Sequence, residues 1–201
     1  LRIMNNDVFL IVGDSPTMGD VAKFLPDFRA NFRTISLNRT KWQCEYTIGM
    51  DRGTWVGIER EIASGEIPPD YSKWVAPVAF KSMKVPFYEA YYPDDDIDAD
   101  GDTRLYPGPN SLIPALNLAY DEGAKTIVIV ACELIFGTAH STSPGRIFKP
   151  NDWAGRSKRI VKTVEEYKKR VKLLQIAAPE HLLDVPVITP EELLHEYCRA
   201  A

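Results

Sequence analysis

An unbroken apolar run, Val8-Phe9-Leu10-Ile11-Val12, stops at the small and polar turn Gly13-Asp14-Ser15-Pro16-Thr17. A run of this kind bounded by turn residues predicts a strand buried on both faces, as in a parallel sheet. Proline fits a first helical turn, where its missing N–H would have had no partner. The pattern therefore predicts a strand over 7–12, a turn over 13–15 and a helix from about 16 to 25. Two short strands follow, over 33–37 and 45–50, ending at Asn38-Arg39-Thr40 and Asp51-Arg52-Gly53. Trp55 to Ala63 suits a short helix closed by Ser64-Gly65. Three successive strands thus end in polar residues. If they are parallel neighbours, Ser15, Asn38 and Asp51 share one edge of the sheet.

The stretch from about 66 to 108 is rich in proline and aromatic residues and reads as an irregular excursion. Within it, Val75-Ala76-Pro77-Val78-Ala79-Phe80 reads as an edge strand, because proline in a run argues against a central position. Regular order returns with a helical apolar face at Leu112, Ala115, Leu116, Leu118 and Ala119, a stop at Gly123, and a strand over 126–131. A helix over about 154–170, a strand over 171–177 and a closing helix over 190–198 complete the series. The alternation predicts one three-layer, Rossmann-like α/β domain over 1–201, with a mostly parallel sheet and helices on both faces.

Composition narrows the class. Hydrophobic residues make up 45% and charged residues 26% of 201, which fits a globular chain and excludes wholesale disorder. A formal net charge of −4 gives no global field toward nucleic acid or anionic lipid. No apolar stretch approaches the roughly 20 residues of a membrane span. The first residues lack the apolar core of a signal peptide. Three widely spaced cysteines, Cys44, Cys132 and Cys198, form neither a disulfide framework nor a metal knuckle, so a cytoplasmic compartment is expected.

Several residues carry candidate chemistry, each beside a plainer use. The turn after the first strand lies where open α/β sheets bind ligands, and free helix N–H groups there hold anions. The alternative is a tight strand-to-helix connection with no ligand. Asp51 ends a strand and suits either Mg²⁺ coordination or the N-cap of the next helix. His140, in the polar loop Gly137-Thr138-Ala139-His140-Ser141, is a candidate general base or an exposed loop histidine. His181 is a second candidate, and His195 reads as structural. Asp96-Ile97-Asp98-Ala99-Asp100-Gly101-Asp102 begins like a calcium loop, but Pro107 stands where its bidentate glutamate should be, so a solvated acidic loop is preferred, with a looser divalent-cation site as the alternative. The basic group Arg146, Lys149, Arg156, Lys158 and Arg159 suits a diphosphate grip or a helix's first turn. The four tryptophans read mainly as core.

The ordered series Gly13-Asp14-Ser15-Pro16-Thr17, Leu37-Asn38-Arg39, Gly49-Met50-Asp51, Ser111-Leu112-Ile113-Pro114, Gly123-Ala124-Lys125-Thr126 and Ala178-Pro179-Glu180-His181-Leu182-Leu183 resembles a known group. It is the Rossmann-like group that unites 6-hydroxymethylpterin diphosphokinase-like proteins with bacterial sialyltransferases. The resemblance touches most of the chain outside 66–108. It implies that Gly13, Asp14, Ser15 and Thr17 face a nucleotide, with Asn38, Ser111, Pro179, Glu180 and His181. The group's first turn usually reads Gly-Asn-Gly-Pro-Ser, so Asp14 and Ser15 depart from it. A carboxylate beside phosphate is unfavourable without a cation, which adds a Mg²⁺ reading through Asp14 and Asp51. The resemblance implies a nucleotide-sugar-dependent glycosyltransferase with His140 as base. The alternatives are a Mg²⁺-dependent diphosphotransferase and a non-catalytic binder of nucleotide or metabolite. A small-molecule nucleotide is the expected partner, and a homo-oligomer is compatible with the sequence.

Overall fold

The computed structural model describes residues 4–15, 17–38, 41–77, 80, 82–91, 111–132, 160–178 and 181–198. Seven strands form one sheet: β1 (Asn5–Val12), β2 (Phe32–Leu37), β3 (Tyr46–Ile48), β4 (Lys73–Pro77), β5 (Phe87–Tyr91), β6 (Thr126–Val130) and β7 (Lys172–Ile176). Their order is β5-β4-β3-β2-β1-β6-β7, and each pairing is parallel. The first five strands march outward from β1 in one direction. The chain then returns past β1 and continues on the other side, so strand order reverses between β1 and β6.

The helices are α1 (Met18–Val21), α2 (Leu25–Asn31), α3 (Arg52–Ala63), α4 (Leu112–Asp121), α5 (described over 160–168) and α6 (Pro190–Tyr197). Parallel neighbours must be joined by right-handed crossovers, so reversing the direction of travel moves the connecting helices to the opposite face. The packing follows this rule. On one face, Leu112, Leu116 and Ala119 of α4 and Ile160, Val164 and Tyr167 of α5 pack on Phe9, Ile11, Ile35, Ile127 and Ile129. On the other, Met18, Val21, Leu25, Phe28 and Leu193 meet Val8, Leu10, Val12, Val128 and Val130. The α3 residues Trp55 and Ile58 cover Trp74 and Ala76 on this second face. A three-layer α/β fold results.

Two expectations are corrected. The edge strand expected over 75–80 is not one: its described first part, 75–77, belongs to β4, which lies inside the sheet between β3 and β5. Pro77 is its last residue, where a missing donor costs least, and Val75 and Ala76 are fully buried. The irregular-looking stretch therefore supplies two strands. The first helix also does not end near 25. Pro26 cannot donate to residue 22 and its ring crowds that carbonyl, so Ala22–Phe24 winds as a 3-10 turn and α2 restarts with the proline in its first turn. Trp42, Trp55 and Trp74 are buried as expected, whereas Trp153 and the acidic segment 96–102 lie outside the described residues.

At the amino edge, Arg33 makes a two-pronged contact with Glu45 (3.1 and 2.9 Å) and an ion pair with Glu122 (2.9 Å). Lys73 also reaches Glu45, at 3.0 Å. Burial pushes the Glu45 carboxyl up, but the hydrogen bonds from Arg33 and Lys73 outweigh it and hold the group below the usual carboxylate range. A carboxyl depressed by folding contributes stability that is complete above its unfolded value, about 4.3, and is lost as pH falls through the lower folded value. Urea unfolding measured from neutral to acid pH should therefore show a shallower acid decline in Glu45→Gln than in the parent. Equal declines would remove Glu45 from the acid response.

Candidate functional site

The crevice where strand order reverses lies at the carboxyl ends of β1 and β6, the position where open α/β sheets hold ligands. Here the two strand ends touch. The Gly13 amide donates to the Val130 carbonyl at 2.8 Å and the Ser15 amide to the Ala131 carbonyl at 3.1 Å. A Cβ on Gly13 would collide with the Ala131 carbonyl oxygen and the Cys132 sulfur, and would lie 3.1 Å from the Ala131 carbonyl carbon. Only glycine fits this approach. Ala131 itself adopts a left-handed φ of 51°, and its amide reaches past to the Ile176 carbonyl of β7 at 2.9 Å. Asp14 is buried in this crevice, at 7% exposure.

The helix-terminal anion site expected after the first turn is not seen in that form. Pro16 lies outside the described residues; Thr17 precedes α1, whose four residues begin with Met18 donating to the Ser15 carbonyl at 2.9 Å. What the structure does bring together is Asn38 with Ser111. The Ser111 hydroxyl donates to the Asn38 side-chain oxygen at 2.8 Å, across 73 positions of sequence. Asn38 follows β2 in a left-handed conformation (φ 60°), which its short amide tolerates, and its own amide donates to Ile48 of β3. Ser111 is buried and leads into α4 without capping it: its own backbone is already helical, and Pro114, at the third helical position, has no N–H for its oxygen to accept.

Asp51 sits farther along the same edge. The Trp55 indole donates to the Gly49 carbonyl at 2.9 Å, which fastens the start of α3 to the end of β3. Both carboxylate oxygens of Asp51 accept from Thr54, one from the amide (3.0 Å) and one from the hydroxyl (2.9 Å). Asp51 is thus the N-cap of α3. With β2 between β1 and β3, the strands bearing Asp14 and Asp51 are about 10 Å apart, while oxygens sharing one Mg²⁺ lie within about 4 Å. Among the described residues no group of three His, Cys, Asp or Glu side chains is arranged to hold a metal.

Beyond β7, His181 accompanies the same edge. Its Nδ1 lies 2.9 Å from the Ala178 carbonyl. A carbonyl can only accept, so Nδ1 carries the proton and Nε2 of the neutral ring keeps its lone pair. His140, Pro179 and Glu180 lie outside the described residues. Sequence reasoning missed Ala131 and Cys132 as the wall behind the first turn. Their only signal is that small residues directly follow the most apolar late strand.

No protein-family model matches the chain, and none of the curated proteins matches it. Among solved structures, the chain is similar to the MAf glycosyltransferase from Magnetospirillum magneticum AMB-1, with a TM-score of 0.63 and 8% identity. The match covers 96% of this chain and 35% of that one, so the chain spans about a third of the glycosyltransferase's length. At this identity the likeness is one of fold. What the two chains share is the α/β architecture. No helix among the described residues is long and apolar enough to cross a membrane.

The steric wall gives a direct test of the crevice. Gly13→Ala should destabilise the chain by about 1–3 kcal/mol, as overpacking does. Gly19→Ala, with nothing within 4 Å of the new Cβ inside α1, should be neutral or stabilising by up to about 1 kcal/mol. Urea denaturation of both variants decides; equal effects would mean the strand ends do not constrain Gly13.

Proposed function

We propose that the chain is the nucleotide-binding domain of a nucleotide-sugar-dependent glycosyltransferase. The observation that supports this most is the Asn38–Ser111 hydrogen bond beside the β1/β6 crevice. It joins two residues singled out from opposite halves of the sequence, at the sheet edge where a nucleotide would lie. The shared fold with part of a glycosyltransferase points the same way. In this reading Gly13, Asp14, Ser15, Thr17, Asn38, Ser111, Pro179, Glu180 and His181 contact the nucleotide. An acceptor hydroxyl is deprotonated by a histidine, His140 or, with its Nε2 lone pair, His181.

A second reading, Mg²⁺-dependent diphosphate transfer, is favoured by the buried carboxylate of Asp14 at the crevice. One carboxylate plus substrate phosphates is a common Mg²⁺ arrangement, and the ion would neutralise diphosphate charge there. Asp51 suits this part less, because both its oxygens already cap α3.

Thermal shift with cytidine, uridine, guanosine and adenosine nucleotides, with and without Mg²⁺, separates these readings. A ligand at about a hundred times its dissociation constant stabilises by roughly 2.7 kcal/mol. Stabilisation by a cytidine nucleotide without metal is the outcome expected of a sialyltransferase-like enzyme. ATP or GTP acting only with Mg²⁺ would transfer the assignment to diphosphate chemistry, and silence throughout would leave a binder of something else. Asn38→Gly keeps the left-handed turn while deleting the amide, so it should fold normally and weaken the active nucleotide by roughly tenfold. Unchanged affinity would remove Asn38 from the site.

The base is tested separately. Loss of a general base costs about 10²–10⁴ in turnover while leaving nucleotide binding largely intact. We expect this pattern for one of His140→Ala and His181→Ala, measured with the nucleotide sugar whose nucleotide stabilises the chain. Full turnover in both variants would exclude a histidine base at either position.

A further inference from the structure

At the opposite, amino edge of the sheet a groove of about 630 Å³ opens between the end of α2 and the segment leading into β3. That volume falls within the range of small-molecule sites, about 300–1,000 Å³. Its buried floor is formed by Phe32, Thr34 and Cys44, and its far wall by Tyr71. The Tyr71 ring is held parallel to Trp74, with centroids 6.5 Å apart and planes 13° off parallel. The groove therefore offers a fixed aromatic wall and a partly apolar floor.

Its charge is set by Arg29. The other charged residues that line it, Arg33 and Glu45, are paired with each other. Arg29 makes no ion pair among the described residues. Its guanidinium is instead held by neutral acceptors, the Gln43 side chain at 3.1 Å and the Trp42 carbonyl at 3.4 Å. Both bonds use one nitrogen, Nη1, and no other acceptor among the described residues engages the rest of the fork. Gln43 braces Arg29 from a left-handed backbone (φ 46°), a strained conformation for a residue with a side chain. Strain of this kind persists where the surroundings over-determine a site, as at ligand clamps.

From these features we infer that the amino-edge groove is a second binding site, for a small carboxylate bearing a planar apolar body. The carboxylate pairs with the free face of the Arg29 fork, a geometry suited to two-pronged contact. The planar body lies against Tyr71 and over Phe32. This site shares no residue with the crevice at the carboxyl edge, so it stands or falls independently of the nucleotide.

The test is a titration of the isotope-labelled chain followed by amide NMR, with benzoate as the probe. Benzamide, the same ring without charge, and acetate, the charge without a ring, run in parallel. Saturable shifts with benzoate at the amides of Thr34, Gln43, Cys44 and Tyr71, clearly weaker with both controls, are expected. Arg29→Gln should lower benzoate affinity by roughly tenfold or more, the worth of a charged hydrogen bond. Gln43→Gly relieves the backbone strain while deleting the brace, so it should fold and bind benzoate severalfold more weakly. The inference is overturned if benzoate gives no saturable shift at millimolar concentration, or if benzamide binds equally well. Shifts confined to Gly13, Asn38 and Ser111 would overturn it too, as would unchanged affinity in Arg29→Gln. If Arg29→Gln fails to fold, unchanged affinity in Gln43→Gly does so in its place.

Discussion

The contact between the carboxyl ends of β1 and β6 sets the geometry of everything above the sheet. Glycine at position 13 lets the first turn lie directly on Ala131 and Cys132. Ala131 pays for this with a left-handed backbone, which costs an alanine about 1–2 kcal/mol. Three backbone hydrogen bonds cross the same spot, from Gly13 to Val130, Ser15 to Ala131 and Ala131 to Ile176. At a net worth of about 1 kcal/mol each, they offset the strain and tie β1, β6 and β7 into one rigid rim. Asp14 lies between these two fastened residues and is buried.

The two edges of the sheet differ in chemistry. The carboxyl edge carries short polar groups whose hydrogen bonds run between elements, as from Ser111 to Asn38, or within a turn, as from Thr54 to Asp51. The amino edge carries long paired charges stacked on rings: the Arg33 guanidinium lies 4.5 Å from the Phe9 centroid and the Lys73 ammonium 4.6 Å from that of Tyr46. Burial raises the Tyr46 hydroxyl to about 12, so it stays neutral and donates or accepts within the cluster. Paired charges of this kind rigidify the strand starts.

Elements whose apolar pattern is continuous were legible in the sequence. The strands β1 and β6 are uniform aliphatic runs buried on both faces, and local pattern suffices for them. β5 was hidden because Phe87-Tyr88-Glu89-Ala90-Tyr91 sits among prolines and has no aliphatic run. β4 was mistaken for an edge because Pro77 was weighed as if central, when it occupies the strand's last position. Of the candidate site, Asn38 and Ser111 were named from their places in an ordered series, and their hydrogen bond depends on α4 crossing back over β2, which no local pattern encodes. The wall of Ala131 and Cys132 and the left-handed turns at 38, 43 and 131 are likewise products of tertiary contact. The amino-edge cluster left a trace that could have been read: Arg33, Glu45 and Lys73 stand at the starts of three successive strands.

α4 connects the two edges. Ser111, at its beginning, bonds to Asn38 just beyond the end of β2, and Glu122, at its close, pairs with Arg33 near the start of β2. A ten-residue helix spans about 15 Å and a six-residue strand about 20 Å, so the helix lies antiparallel along β2 and is pinned to it at both ends. Between the pins, Leu112, Ala115, Leu116 and Ala119 are buried, and Asn117 accepts a hydrogen bond from Tyr167 of α5. A helix held this way has little freedom to slide or tilt. The Ser111 hydroxyl sits at one end of a helix that is fastened at both. The charged amino edge thus serves the carboxyl edge through one rigid element, and the site's geometry is a property of the whole layer.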